Sequence, residues 1–259
     1  MRCRNCDLVF VANPPDEEEL ARLYSFEGGF HTQLADGSDQ SSSAADANAL
    51  HHLDLMAEVQ KPGRLLDVGC ATGRFIRHAC SRGWTAMGVE PNTDTAAIAR
   101  ADGLDVVTGT LAEVDSSERF DAVTMWDVVE HVPDPLEVLE QARSVLAPAG
   151  CLWLATPNVD GLFPVASLRV ANRVGRWPHP EPPYHLCQFS ETTLREALRR
   201  TGFTGVDIRQ ERIPLGYTFG SRGQLLSEPK RLAYTVLFAP LAVAGPVFGR
   251  GDTMVVHAR

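Results

Sequence analysis

Residues 64–73, Arg-Leu-Leu-Asp-Val-Gly-Cys-Ala-Thr-Gly, constrain the fold more than any other stretch of the chain. Leu65 to Val68 form an apolar run of strand length that stops abruptly in small residues. Gly69, Ala71 and Gly73 let the backbone turn sharply and approach a ligand without obstruction by side chains. A helix is predicted from there to about residue 82. Strand, tight loop and helix in this order read as the opening of a βαβ unit, whose ligand site lies beyond the carboxyl end of the strand.

The alternation continues along the chain. Apolar runs at 85–89, 105–108, 120–126 and 151–156 predict further strands, with helices near 93–102 and 134–147. Ser190 is expected to start a helix to about Arg200, followed by a strand near 204–210 and a final strand at Thr253–His257. The expected fold is α/β and Rossmann-like, with a central, mostly parallel seven-stranded sheet, helices on both faces and one antiparallel strand.

Residues 1–60 read as an extension ahead of a core spanning 61–259. In the extension, Asp16 is expected to cap a helix through about Tyr24, residues 34–46 to be mobile, and a helix to run from Ala47 to Val59. Two inserts interrupt the core. Residues 158–189, rich in Pro, Arg and aromatics, suggest a lid. Residues 212–250 fill a gap between the last two strands that a short hairpin would close. Leu232–Phe248 is almost wholly apolar but carries Pro240 and Pro246, so the expectation is helices that pack on the core or cover a substrate. Contact with a membrane surface is the secondary reading of this stretch.

Loop chemistry narrows the ligand. A dinucleotide site wants Gly-x-Gly-x-x-Gly, whereas here Gly69-x-Ala71-x-Gly73 is followed directly by Arg74. No Gly-Lys-Ser/Thr follows either, which sets aside a P-loop. Asp67 places a carboxylate at the strand end, suited to an amino group. The second strand ends in Gly88-Val89-Glu90-Pro91-Asn92, and an acidic residue there can accept hydrogen bonds from both hydroxyls of a ribose. Glu90 follows Gly73 by 17 residues, the length of one crossover helix and one strand. Loop and carboxylate together describe a nucleoside site.

Asp67-x-Gly-x-Ala-x-Gly73, Glu90 and the run from Phe120 to Pro135, with Trp126-Asp127-Val-Val-Glu130-His131 at its centre, resemble class I S-adenosylmethionine-dependent methyltransferases. The likeness is closest to the subgroup that includes the ubiquinone-biosynthesis O-methyltransferases. It continues through Leu146–Gly150, Ala155–Asn158 and the Tyr184–Ser190 stretch to Phe203. The resemblance implies S-adenosylmethionine as cofactor, with Gly69, Cys70, Ala71 and Gly73 toward its methionine part and Glu90 and Pro91 at the ribose. Thr110 and Leu111 would border the adenine, although the acidic residue often found there is missing. Trp126 and Asp127 would close over the methionine part.

Methyl transfer from a sulfonium is an in-line displacement, and a base is needed only when the acceptor arrives protonated. His131 is the leading candidate base and His185 the second; fixing the turn before Pro133 is the structural alternative for His131. Asp127-x-x-Glu130-His131 with a distant histidine also resembles the metal-binding pattern of some O-methyltransferases, but Glu-His occurs at this place in relatives without metal. The expectation is that no metal is held. Arg2-Cys3-Arg4-Asn5-Cys6 resembles half of a small zinc-binding module; one Cys pair supplies two of the four ligands a structural zinc needs, so no zinc is expected.

A net charge of −9 weighs against nucleic acid as the acceptor. The partner expected is a small molecule, methylated most readily at a hydroxyl. Nitrogen or carbon acceptors, or a non-catalytic cofactor-binding relative, are the alternatives. No apolar leader is visible and the six cysteines show no disulfide framework, which points to the cytoplasm.

Overall fold

The computed structural model describes residues 1–23, 39–174, 184–220 and 222–259. At its centre is a seven-stranded sheet. In chain order the strands are β2 (Arg64–Val68), β3 (Thr85–Glu90), β4 (Val106–Thr108), β5 (Phe120–Trp126), β6 (Leu146–Pro157), β8 (Asp207–Glu211) and β9 (Thr253–Ala258). Across the sheet their order is β4-β3-β2-β5-β6-β9-β8. β9 runs antiparallel to both its neighbours, and the other six share one direction, as expected. From β2 the chain moves outward through β3 and β4, then returns to place β5 on the other side of β2. Their carboxyl ends therefore meet at the switch point, where open α/β sheets bind ligands.

Side chains alternate between the two faces with the period of a strand. Leu66, Val68, Val123, Met125, Leu152 and Leu154 join one core, shared with Leu139 and Ala142 of α5 (Pro135–Val145) and Leu194 and Leu198 of α7 (Glu191–Arg200). Leu65, Ala122, Trp153 and Val255 join the other, shared with Leu53 and Met56 of α2 (Asp39–Val59) and Phe75 and Ala79 of α3 (Arg74–Ser81). α4 (Thr93–Ala101) lies beyond, with Ala96 and Ala99 against Ile76 and Val106. The helix starts follow their caps: the Asn92 side chain accepts from Thr95 N–H, and Asp134 from Leu136 and Glu137 with Pro135 next in line.

Three expectations change. α2 begins at Asp39, eight residues earlier than Ala47, so 39–46 is helical and the mobile stretch expected there does not include it. The Asp46 carboxylate explains the difference: it meets Arg74 at 3.0 Å and His78 at 2.9 Å, clamping the early helix onto α3. The remainder of that stretch, 34–38, together with Tyr24, Phe26 and Phe30, lies outside the described residues; α1 covers Glu17–Leu23. β6 starts at Leu146 and not 151, because Leu146 pairs with Phe120 before a register shift brings Cys151 opposite Ala122.

The third change concerns the inserts. The first contains α6 (Leu162–Val174). The second contains α8 (Leu215–Phe219), α9 (Arg222–Ser227) and α10 (Pro229–Ala244), then a 3₁₀ turn at Gly245–Phe248. Pro240 does not break α10. It is exposed, and so is Val236 one turn back, so the hydrogen bond that a proline cannot donate is missing from the solvent side of the helix. The inserts pack on each other: the Phe163 ring stands 5.2 Å from Phe219 and 5.8 Å from Phe238. Pro229–Phe248 is long and apolar enough to cross a membrane by length and composition alone, and 17% of its most apolar window is buried. At the amino end, β1 (Val9–Phe10) pairs antiparallel with β7 (Cys187–Gln188), seating the start of the chain beside the first insert.

Candidate active site

The loop after β2 carries three left-handed residues in alternation, Gly69 at φ 69°, Ala71 at 48° and Gly73 at 78°. Only Ala71 bears a side chain there, at some cost in backbone strain. Gly69 and Cys70 donate their N–H groups to the Val89 carbonyl at 2.8 and 3.2 Å, tying the loop to the end of β3. Gly88 makes this approach possible, since a Cβ there would stand 2.4 Å from the Cys70 sulfur. Cys70 is buried in that contact, and burial beside Asp67 and Glu90 pushes its thiol up, so it is a packing group and no nucleophile.

Two buried carboxyls face this loop. Asp67 Oδ1 accepts from the Thr124 hydroxyl at 2.6 Å, and burial pushes its carboxyl up to about 7. Glu90 Oε2 accepts from Ala71 N–H at 3.0 Å and Oε1 from Asn92 N–H at 2.8 Å. Pro91, exposed and without an N–H, leaves that second bond to Asn92. Burial raises the Glu90 carboxyl above its ordinary range. A carboxylate has about four acceptor sites, and the backbone occupies two here. The remaining two fit a pair of vicinal hydroxyls, so the site fits the ribose of the cofactor implied by the sequence resemblance.

Next to it, Gly109 N–H donates to the Glu90 carbonyl at 3.0 Å, bringing residues 109–113 to the same edge. Thr110 caps the 3₁₀ turn Leu111–Glu113, and Glu113 accepts from the Thr110 amide at 2.6 Å and hydroxyl at 2.9 Å. Leu111 is buried in the core. The polar side chains of the turn are thus spent on one another.

At the end of β5 the Trp126 ring stacks on His52 of α2, with centroids 3.9 Å apart and planes 18° apart, and meets the edge of Phe75. Burial pushes His52 down to about 3, so it is neutral in this stack. The extension before the core therefore helps to build the site through α2. Asp127 follows at φ 54°, its N–H bonded to the Ala155 carbonyl at 3.0 Å.

Beyond Asp127 the chain forms a second cluster. The Glu130 carbonyl accepts from Leu186 N–H at 2.8 Å and Cys187 N–H at 3.1 Å, which draws residues 184–187 against 130–131. His131 Nδ1 lies 2.9 Å from the Tyr184 carbonyl, and the two imidazoles, His131 and His185, meet edge to face at 4.7 Å. A carbonyl can only accept, so Nδ1 carries the proton and the neutral ring keeps its lone pair on Nε2. Burial lowers the His131 pKa, and burial followed by the charge of His131 lowers His185 to about 4. Both rings are neutral at pH 7.

Glu130 is buried beneath them. One oxygen accepts from Thr156 at 3.0 Å and the other has no hydrogen-bond partner among the described residues. Burial, then the nearby Asp127 charge, raises its pKa well above the carboxylate range. Of the four residues matching a metal pattern, Glu130, His131 and His185 converge, one ligand atom from each lying within 4.8 Å of the others; Asp127 is outside that group. Cys3 and Cys6 belong to no cluster of three or more metal-type ligands among the described residues.

Thr124, Thr156, Asp46 and His52 are the site-building residues that sequence reasoning missed. Register was the available signal for Thr124, which sits directly opposite Asp67 across β2 and β5.

The family profile described as a methyltransferase domain matches residues 43–208. The chain is 32% identical over 133 residues to a ubiquinone biosynthesis O-methyltransferase of Xanthomonas campestris pv. campestris (strain B100), covering 48% of this chain and 55% of that one. It is 28% identical over 171 residues to a protein of the same name from Nitrobacter winogradskyi, covering 64% of each. The chain spans less than two thirds of the length of either relative. Among solved structures, the 1,6-didemethyltoxoflavin-N1-methyltransferase of Burkholderia thailandensis, with bound 1,6-didemethyltoxoflavin and S-adenosylhomocysteine, aligns over 99% of this chain and 96% of that one. Its TM-score is 0.59 at 21% identity, a likeness of fold.

Proposed function

The chain belongs to the methyltransferase-domain family, and from that premise we propose that it transfers a methyl group from S-adenosylmethionine to a hydroxyl oxygen of a small molecule. S-adenosylmethionine is the cofactor, and when bound it supplies a methyl already activated by the sulfonium. The chain's own residues bind, align and deprotonate. Glu90 would hold the ribose hydroxyls with the two acceptor sites that the backbone leaves open, and the loop at Gly69–Gly73 would lie along the methionine part. Trp126, braced by His52, and Asp127 would wall that end.

The observation that carries the choice of oxygen is the contact of His131 Nδ1 with the Tyr184 carbonyl at 2.9 Å. Tyr184 fixes the proton on Nδ1, burial keeps the ring neutral, and Nε2 retains the lone pair needed to take a hydroxyl proton as the bond to carbon forms. His185 would bound the same space. The names of the two sequence relatives favour an oxygen acceptor, while the Burkholderia neighbour is named for a nitrogen one. α6 and the helices of the second insert would cover the acceptor. We assign no metal to this reaction and place it in the cytoplasm.

Incubating the purified protein with methyl-labelled S-adenosylmethionine and a panel of phenols, catechols and sugar hydroxyls tests this. Label should pass to oxygen in the presence of chelator, and His131→Ala should slow transfer by about 10²- to 10⁴-fold while still binding S-adenosylhomocysteine. Transfer to nitrogen or carbon only would overturn the oxygen assignment. Cofactor binding with no transfer to any acceptor would instead favour a non-catalytic relative.

A further inference from the structure

Asp252, just before β9, takes no part in the chemistry above, yet it is 2% exposed and neither of its carboxyl oxygens has a hydrogen-bond partner among the described residues. Buried polar groups are almost always paired, because an unpaired one loses its hydration for nothing in return. The backbone around it is firmly placed. The Asp252 carbonyl accepts from Asn158 N–H at 2.8 Å, and the Gly251 carbonyl from the Asn158 side-chain amide at 2.9 Å. These bonds hold Asp252 at the carboxyl end of β6, the sheet edge that also carries the cofactor loop and the His131 cluster.

Asp252 is among the residues that line a cavity of about 60 Å³, together with Phe163, His185, Ile213 and Thr218. Phe163 comes from the first insert, Ile213 and Thr218 from the second, and His185 from the candidate base pair. One cavity thus joins the acceptor edge to both inserts, and Asp252 is part of its wall. The volume suits the polar end of a ligand, a few heavy atoms, better than a whole acceptor.

We propose that Asp252 recognises the acceptor, its buried carboxyl receiving a hydrogen-bond-donating amine or hydroxyl on a molecule whose methylated oxygen faces His131. The inference rests on the acceptor edge assigned under the proposed function. A carboxylate or phosphate at that end of the acceptor is rejected, since it brings a like charge and no donor. A purely structural role fits poorly, because neither carboxyl oxygen has a hydrogen-bond partner among the described residues. Burial pushes the Asp252 carboxyl up to about 7, against the pull of Arg212, so the group can meet either kind of donor near neutrality.

Three phenols of matched reach separate the possibilities: tyramine, tyrosol and 4-hydroxyphenylpropionate, titrated calorimetrically into protein saturated with S-adenosylhomocysteine. Tyramine or tyrosol should bind at least about tenfold tighter than the propionate. Asp252→Asn and Asp252→Leu should erase that preference, with unfolding midpoints no lower than wild type, since each removes an unpaired buried carboxyl. An ammonium at the site stabilises the ionised carboxylate and expels its proton, so tyramine affinity should climb as pH rises through 7. Tyrosol affinity should not. Equal affinities for the three, binding by none, or a preference that survives in both variants overturns the proposal. Binding does not depend on turnover: methylation of a phenol without discrimination at Asp252 would leave the proposed function intact, and discrimination without methylation would do the reverse.

Discussion

Replacing Glu90 by Gln tests the cofactor assignment at one side chain. The wild-type carboxylate already accepts from Ala71 at 3.0 Å and Asn92 at 2.8 Å, and each oxygen keeps an acceptor site for a ribose hydroxyl. Glutamine retains one acceptor oxygen. Its NH₂ group takes the other place, where it confronts a backbone N–H and can offer a hydroxyl only a donor. One charge-assisted bond to the ribose is lost, about 2 kcal/mol, and the survivor becomes a neutral bond of roughly half the strength, about 1 kcal/mol more. A total near 3 kcal/mol corresponds to a Kd about 150-fold higher. Calorimetry with S-adenosylhomocysteine reads this directly, with thermal unfolding of the unliganded protein as the check that the loop survives. Repeating the titration with the 2′-deoxy and 3′-deoxy analogues closes the cycle: the penalty of the mutation should shrink with whichever hydroxyl the lost oxygen served. A Kd within threefold of wild type, or an undiminished penalty with both analogues, would refute the placement of the ribose at Glu90.

Two further predictions concern pH. Burial lowers the His131 pKa, so the acid limb of kcat/KM should fall below pH 6.5, and His131→Ala should remove that limb along with about 10²- to 10⁴-fold in kcat. An acid limb unchanged in the variant would assign the base to another group. Asp67 has a folded-state pKa of about 7, above its ordinary 3.8, so the native state holds this proton more tightly than the unfolded chain does. Its contribution to the stability of the unliganded protein is present at low pH and is lost as pH rises from about 4 through 7. Urea unfolding across that range should show a shallower decline in Asp67→Asn, and identical slopes would mean that Asp67 is ionised in the fold.

The two halves of the site differ in how much of them a single sequence discloses, and the cause lies in how each is built. The cofactor half comes from contiguous strand–loop–helix units. Leu65–Val68, Gly69–Gly73 and Gly88–Glu90 are each read from a few adjacent residues, because a buried strand demands an apolar run and a left-handed turn favours glycine. Even there, cross-strand partners stay hidden until register is known, as Thr124 opposite Asp67 illustrates. The acceptor half is assembled over long distances. His131 meets a carbonyl 53 residues away, and Asn158 fixes Gly251 across 93. No local period records such pairings, so nothing in the sequence singled out Asp252, and Glu130 stood only as one position of a motif. The early turns of α2 were equally unreadable, since Ser, Ala and Asp suit a loop as well as a helix until Asp46 meets Arg74 and His78. This division follows from the chemistry required. One cofactor can be held by one local solution, written compactly at the switch point of the sheet. The acceptor must be specified by segments free to change without disturbing that solution, and in the proposed function the two inserts and Asp252, which share one cavity, would take that part.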